Sequence, residues 1–207
     1  MAFVAGIVNV VGLLGFQHQT VTHLTGSTTM LAASLAALDG PAVRHLLALI
    51  GAFVAGTTLS GFLIQDDALR LGRHYGVALL LESALLFAAV PLLWHEQALG
   101  MYLAACACGL QNAMVSTYSG TVVRTTHLSG MFTDLGIFLG QALRGQPVDA
   151  RRLRLCVIVI TGFFCGGLVG ALAFRVCGPS ALFIPGGLTA AAAVTYVFYG
   201  FRHRPGV

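Results

Sequence analysis

What most limits the folds open to this chain is a series of long stretches without formal charge. Uncharged or nearly uncharged apolar runs cover residues 46–64, 77–94, 98–118, 155–174 and 181–201. Each approaches the ~20 residues an α-helix needs to cross a ~30 Å hydrocarbon layer. Residues 2–16 form a shorter run, but the absence of charge continues through Gln17, His18, Gln19 and Thr20, so this segment is also long enough to cross. Two further apolar pieces, 27–38 and 131–143, are short for a full span and fit either a tilted crossing or a half-helix dipping in from one face. Composition points the same way. Hydrophobic residues make up 57% of the 207 and charged residues 9%, with a mean hydropathy of +0.87. Soluble domains run at roughly 45–50% apolar and 25% charged, and a soluble fold of this size has no core large enough to hide the excess. The expectation is an all-α integral membrane protein, one membrane domain over residues 1–207, with the lipid bilayer as its first partner. The first run does not read as a signal peptide, because no Lys or Arg precedes it and no clear cleavage site follows.

The formal charge of +4 does not indicate a nucleic-acid partner. All eleven basic residues are Arg (Arg44, Arg70, Arg73, Arg124, Arg144, Arg151, Arg152, Arg154, Arg175, Arg202 and Arg204), and they flank apolar runs, a topological pattern. The five cysteines (Cys106, Cys108, Cys156, Cys165, Cys177) lie in or beside spans without metal-ligand spacing and read as small packing residues. No metal or other cofactor is expected. An enzyme is not expected either: the chain has no HExxH pair, P-loop, GxGxxG after a strand or GxSxG elbow.

An internal duplication organises the sequence. Thr22-His23-Leu24-Thr25-Gly26 recurs as Thr126-His127-Leu128-Ser129-Gly130. Upstream, Gly6-Ile7-Val8-Asn9 matches Gly109-Leu110-Gln111-Asn112. Downstream, Gly51 to Gly56 aligns with Gly162 to Gly167. The repeats cover about 1–97 and 98–207, each reading as span, His-Leu-(Thr/Ser)-Gly element, short helix, span, span. If the short helices cross, the protein has eight spans in two parallel repeats of four. If they re-enter, it has six full transmembrane helices plus two short half-helices, in two inverted repeats. Cytoplasmic loops collect Lys and Arg, and the Arg residues divide seven to four in the first arrangement and nine to two in the second. The sharper split favours inverted repeats, with both termini cytoplasmic and Arg44 and Arg175 outside.

In that arrangement half-helices begin near Thr25–Ser27 and Ser129–Met131, where hydroxyls can cap free N–H groups and Gly26 and Gly130 permit a tight entry. Two such N-termini concentrate partial positive charge, and inverted-repeat transporters place substrate sites at broken helices of this kind. His23 and His127 stand at equivalent positions and suit either a solute contact or a structural bond to a carbonyl. Asn9 and Asn112, with neighbouring Gln111, can line a path or bond between helices. Arg124, Asp134 and Glu82 are charges at or near apolar runs. Arg124 can pair with Asp134, and Glu82 has no matched partner in the other repeat. The candidate substrate-binding set is therefore His23, Thr25, Gly26, Ser27, Asn9, Asn112, Arg124, His127, Ser129, Gly130 and Asp134. Gly162, Gly166 and Gly170 make two consecutive small-xxx-small steps, a close-packing face between helices or between copies in a homo-oligomer.

The order Gly6–Asn9, His23–Gly26, Gly109–Asn112, and Thr126–Gly130 followed by Thr133, Asp134 and Leu135 resembles the YoaK-type family of bacterial membrane proteins (domain of unknown function 1275). The resemblance covers essentially the whole chain. Asn9 stands where the family usually has Asp, and Ser27 where it often has Asn. The resemblance implies a multi-pass protein of the bacterial inner membrane with no established activity. The function expected from the residues is transport or channelling of a small polar or anionic solute between the two repeated elements. The alternative is a non-transporting scaffold or regulator acting through helix packing.

Overall fold

The computed structural model describes residues 1–15, 21–64, 73–118 and 126–202. Among them every regular element is a helix: α1 (Ala2–Leu14), α2 (Leu24–Ala36), α3 (Gly40–Leu63), α4 (Arg73–Trp94), α5 (Ala98–Tyr118), α6 (Leu128–Leu143), α7 (Ala150–Cys177) and α8 (Phe183–Arg202), with a 3₁₀ turn at Gly178–Leu182 before α8. Helices α3, α4 and α5 and the stretch Ala150–Tyr196, which holds α7 and most of α8, are long and apolar enough to cross a membrane. α1 and α6 are shorter apolar helices. The outward faces carry large apolar side chains, with Phe62 79% and Phe164 68% exposed. Water does not tolerate a continuous surface of this kind; lipid does. The protein is membrane-embedded.

Helix starts follow local chemistry. Asp39 caps α3 by accepting from the Ala42 N–H (3.1 Å), with Pro41 in the first turn, where its missing N–H costs nothing. Asp149 does the same for α7, accepting from Arg151 and Arg152 N–H at 3.0 and 3.2 Å. The break between α7 and α8 falls at Gly178, whose φ of +55° is strained for residues with a Cβ.

Two helix pairs are packed backbone to backbone. On α1, a Cβ at Gly6 would strike the Phe163 carbonyl oxygen of α7, and one at Gly166 would strike that of Phe3. The same arrangement joins α3 to α5, where Gly56 lies on the Cys106 carbonyl and Gly109 on that of Phe53. Small residues allow such approach, and van der Waals contact then replaces the hydrophobic drive that lipid removes. Both pairs run parallel. Along α1 and α7 the ladder reads Ala2 with Gly162, Ile7 with Gly170, Gly15 with Phe174; along α3 and α5 it reads His45 with Tyr102, then Phe53 with Gly109.

Helix α4 packs on α5 and α8. It runs antiparallel to α5 (Leu93 by Gly100, Glu82 by Gln111, Tyr75 by Met114) and antiparallel to α8 (Trp94 by Ser180, Ser83 by Gly186). The ends of α1, α4 and α7 meet around Leu14, Trp94 and Phe174. Consequently α1, α4 and α7 point one way and α3, α5 and α8 the other. The core is centred on Ile7, Leu49, Phe53, Leu86, Met101 and Ala105.

Of the two roles expected of the Gly162/Gly166/Gly170 face, packing between helices is the one seen: Gly166 and Gly170 are buried against α1 of the same chain. In the two seams Phe53 and Phe163, and Gly56 and Gly166, hold like places, one residue off the sequence match of Gly51–Gly56 with Gly162–Gly167. A carbonyl contact fixes that register, whereas a glycine string read alone slides by one.

Candidate functional site

His23 and His127 are the N-cap residues of α2 and α6, and both are exposed. Each ring folds over the first turn of its helix. A Cβ at Gly26 would meet His23 Nδ1 at 3.0 Å, and one at Gly130 would meet His127 Nε2 at 2.7 Å. The glycine three residues after each histidine is therefore room for the ring rather than freedom for the backbone.

Neither helix has a side-chain cap. The expectation that hydroxyls cap the N-terminal N–H groups fails. Ser27 donates instead to the His23 carbonyl at 3.3 Å, and a turn further in Thr29 donates to the Thr25 carbonyl and Thr133 to the Ser129 carbonyl, both at 2.9 Å. A β-hydroxyl in a helix reaches the carbonyl four residues back when no better acceptor competes. Thr25 and Ser129 are exposed, while Ser27 and its counterpart Met131 are buried.

Asn9 has a fixed structural task. Its Oδ1 accepts from both the Thr22 N–H (3.3 Å) and the Thr22 hydroxyl (2.6 Å), tying the segment before α2 onto α1. Asn112 sits half-buried on α5, and its own carbonyl accepts from the Ser116 hydroxyl at 2.8 Å. Asp134 is exposed on α6. Arg124 lies outside the described residues, so its pairing with Asp134 does too.

The two elements are not brought together. α2 packs on α3 and α6 on α7, on separate flanks, and the two short helices do not pack on each other. Met131, near the start of α6, lies against Cys156, Val159 and Ala2. A shallow groove along α2 is lined by Leu24, Thr25, Thr28, Thr29 and Ala32.

The strongest polar feature lies elsewhere, in the bundle core. Glu82 near the middle of α4 is 2% exposed, and Gln111 on α5 is 1% exposed. Gln111 Nε2 donates to Glu82 Oε1 at 2.7 Å and contacts Met1 Sδ at 3.5 Å. Among the described residues Glu82 Oε2 is buried without a hydrogen-bond partner, as is the hydroxyl of Ser60 on α3. Nearby, Ser83 donates to the Gly186 carbonyl of α8 at 2.9 Å. Sequence reading noted both residues but not their pairing; their one advance signal was a carboxylate and an amide inside spans that otherwise carry few polar groups. A second, half-buried pair, His45 Nδ1 with the Tyr102 hydroxyl at 2.8 Å, joins α3 to α5 and gave no such signal.

A helical bundle with an apolar exterior, backbone-packed seams and a carboxyl group in its core defines a multi-pass membrane protein. The chain belongs to the DUF1275 family, described as a protein of unknown function, whose model matches residues 1–195. No curated protein and no solved structure matches it.

Proposed function

We propose that this is a transporter or channel for a small polar or anionic solute, built as two inverted repeats of three full spans and one re-entrant half-helix. The contact pattern supports the architecture. The chain leaves α1 at the Trp94 end of the bundle and is back beside Asn9 by Thr22. It starts α3 again near that same end, where His45 meets Tyr102. α6 behaves likewise at the opposite end, lying by Cys156 and Val159 at Met131 and leading into the start of α7. Parallel repeats would make α4 and α8 parallel, but they run antiparallel. With this topology nine Arg residues face the cytoplasm and two do not, both termini are cytoplasmic, and the protein belongs in a bacterial inner membrane.

The observation that carries the transport reading is the doubled element: an exposed histidine at an uncapped helix N-terminus, entering from each face. Free N–H groups and the helix dipole favour anions there. Because the elements sit on separate flanks, each serves as its own solute contact rather than half of one shared site. We read the protein as non-enzymatic. A second reading, a scaffold acting through helix packing, draws on the exposure of α2 and α6, including Met30, Leu35, Phe132, Ile137 and Leu139. A homo-oligomer would use these flanks, since the Gly162/Gly166/Gly170 face is occupied.

Solute-flux screening in proteoliposomes, beginning with small anions, tests the function. His127→Ala should lower flux while leaving insertion intact; full flux with a lowered melting temperature makes the histidine a turn fixture. Cysteine-accessibility labelling in a background lacking the native cysteines tests the topology. Loops near Arg70 and Arg151 should share one face, and finding them on opposite faces sinks the inverted arrangement.

A further inference from the structure

We propose that Glu82 is a proton-exchange site in the core of the bundle, with Gln111 as its positioning partner. The argument starts from Glu82 Oε2. One carboxyl oxygen is held by the Gln111 amide, while the other is buried with no donor among the described residues. An ionised carboxylate in apolar surroundings, with a single amide donor and the Met1 amino group facing it only from beyond ion-pair distance, is a costly state inside a membrane. Among the described residues no ion pair reaches Glu82. A proton on Oε2 removes the imbalance. The exchange is simple in chemistry: Oε2 gains a proton from water as O–H, or returns it, and nothing is oxidised or reduced.

The surroundings narrow the ligand to a proton. A dehydrated metal cation needs several oxygen ligands at once. No group of three His, Cys, Asp or Glu side chains able to hold a metal ion is found among the described residues. Other titratable groups face Glu82 from the packed elements: the Cys108 thiol from α5 and the amino group of Met1 from α1. From α8 comes the Gly186 backbone, whose carbonyl is already bonded to Ser83. Glu82 therefore joins α4 to α5, and proton exchange requires water to reach that seam.

That seam is one of several that join the first half of the chain to the second, beside α1–α7, α3–α5 and α4–α8. Coupling of the proton to solute movement rests on the transport reading above; binding of the proton does not.

Infrared spectroscopy of the full chain in lipid vesicles, exchanged between acidic and alkaline buffer, tests the site. A protonated-carboxyl band should be present in acid, lost in alkali, and absent from Glu82→Gln. Gln111→Met should shift the frequency of that band, because the carbonyl loses its donor; this second variant keeps the test alive where Glu82→Gln fails to fold. Three results overturn the proposal: no Glu82-dependent band, a band unchanged at every pH, or a band that responds to sodium at fixed pH. An unshifted band in Gln111→Met removes Gln111 from the site. In proteoliposomes, Glu82→Gln should lose uptake driven by a pH gradient while keeping solute counterflow. A titrating band in a protein that moves no solute upholds the proton site and sinks transport instead.

Discussion

The glycine seams and the two short helices are built from the same small residues, yet their neighbours treat them in opposite ways. At Gly6, Gly56, Gly109 and Gly166 another helix backbone occupies the space a side chain would take. At Gly136 and Gly140 on α6 nothing lies within 4 Å. The seams are thus fixed from both sides, whereas α2 and α6 each lean on one long helix and present most of their surface outward. Rigidity in this protein comes from backbone contact. The elements with exposed polar chemistry lie where such contact is absent, at the low-stability end of the fold.

That contrast can be broken most sharply at the seams. Gly109→Ala and Gly166→Ala each push a methyl group into a carbonyl of a neighbouring helix that cannot yield without shifting. We expect each to cost about 3 kcal/mol, the upper part of the range for overpacking, read as a large drop in melting temperature in detergent. Equal losses at the two positions would support the equivalence of the seams. A loss at only one would show that the α1–α7 and α3–α5 pairs are not equivalent.

Asn9→Ala comes next. It removes the acceptor of two Thr22 donors and leaves the Thr22 N–H in a half-buried place, a loss of about 2 kcal/mol. Thermal unfolding checks the magnitude, and protease sensitivity before α2 should rise with it. Asp149→Ala removes the cap on α7 and should cost about 1 kcal/mol. Asp39→Ala at α3 should cost a similar amount, and unequal losses would argue against matched roles. The smallest effect has the opposite sign. Gly136→Ala on α6 meets open space and should stabilise by about 0.5–1 kcal/mol, the helix-interior penalty of glycine. A destabilised Gly136→Ala protein would mean that α6 is packed against something on its outer face.

The helical class and the long apolar helices were legible because bilayer crossing leaves a length signature, and α4 and α5 end within a few residues of their apolar runs. The polar capping of α2 and α6 was misjudged for a physical reason. Serine and threonine are equally suited to an N-terminal N–H and to a carbonyl four residues back, and residue order does not choose between them. The one-residue offset between the glycine match in the sequence and the contacts of the seams was not legible, because small residues recur along α7 and only the Phe163 carbonyl picks out one partner for Gly6. Of the candidate site, the pairing of each histidine with its following glycine was readable as a motif. Its reason, a ring laid over the first turn, was not.

Sequence alone determined what this chain dissolves in: runs of apolar residues of bilayer length have no other stable solvent. It also determined that two stretches carry the same His-Leu-(Thr/Ser)-Gly element, since that is a property of residue order. Tertiary structure decided which helices touch, and therefore what each polar residue faces. Asn9 became a tie to Thr22, the Gly162/Gly166/Gly170 face became a seam within one chain, and Glu82 met Gln111 across α4 and α5. Contacts between helices distant in the sequence depend on crossing points and rotations of whole helices. In lipid those are set by where backbones can approach, a property of pairs of helices that neither sequence carries by itself.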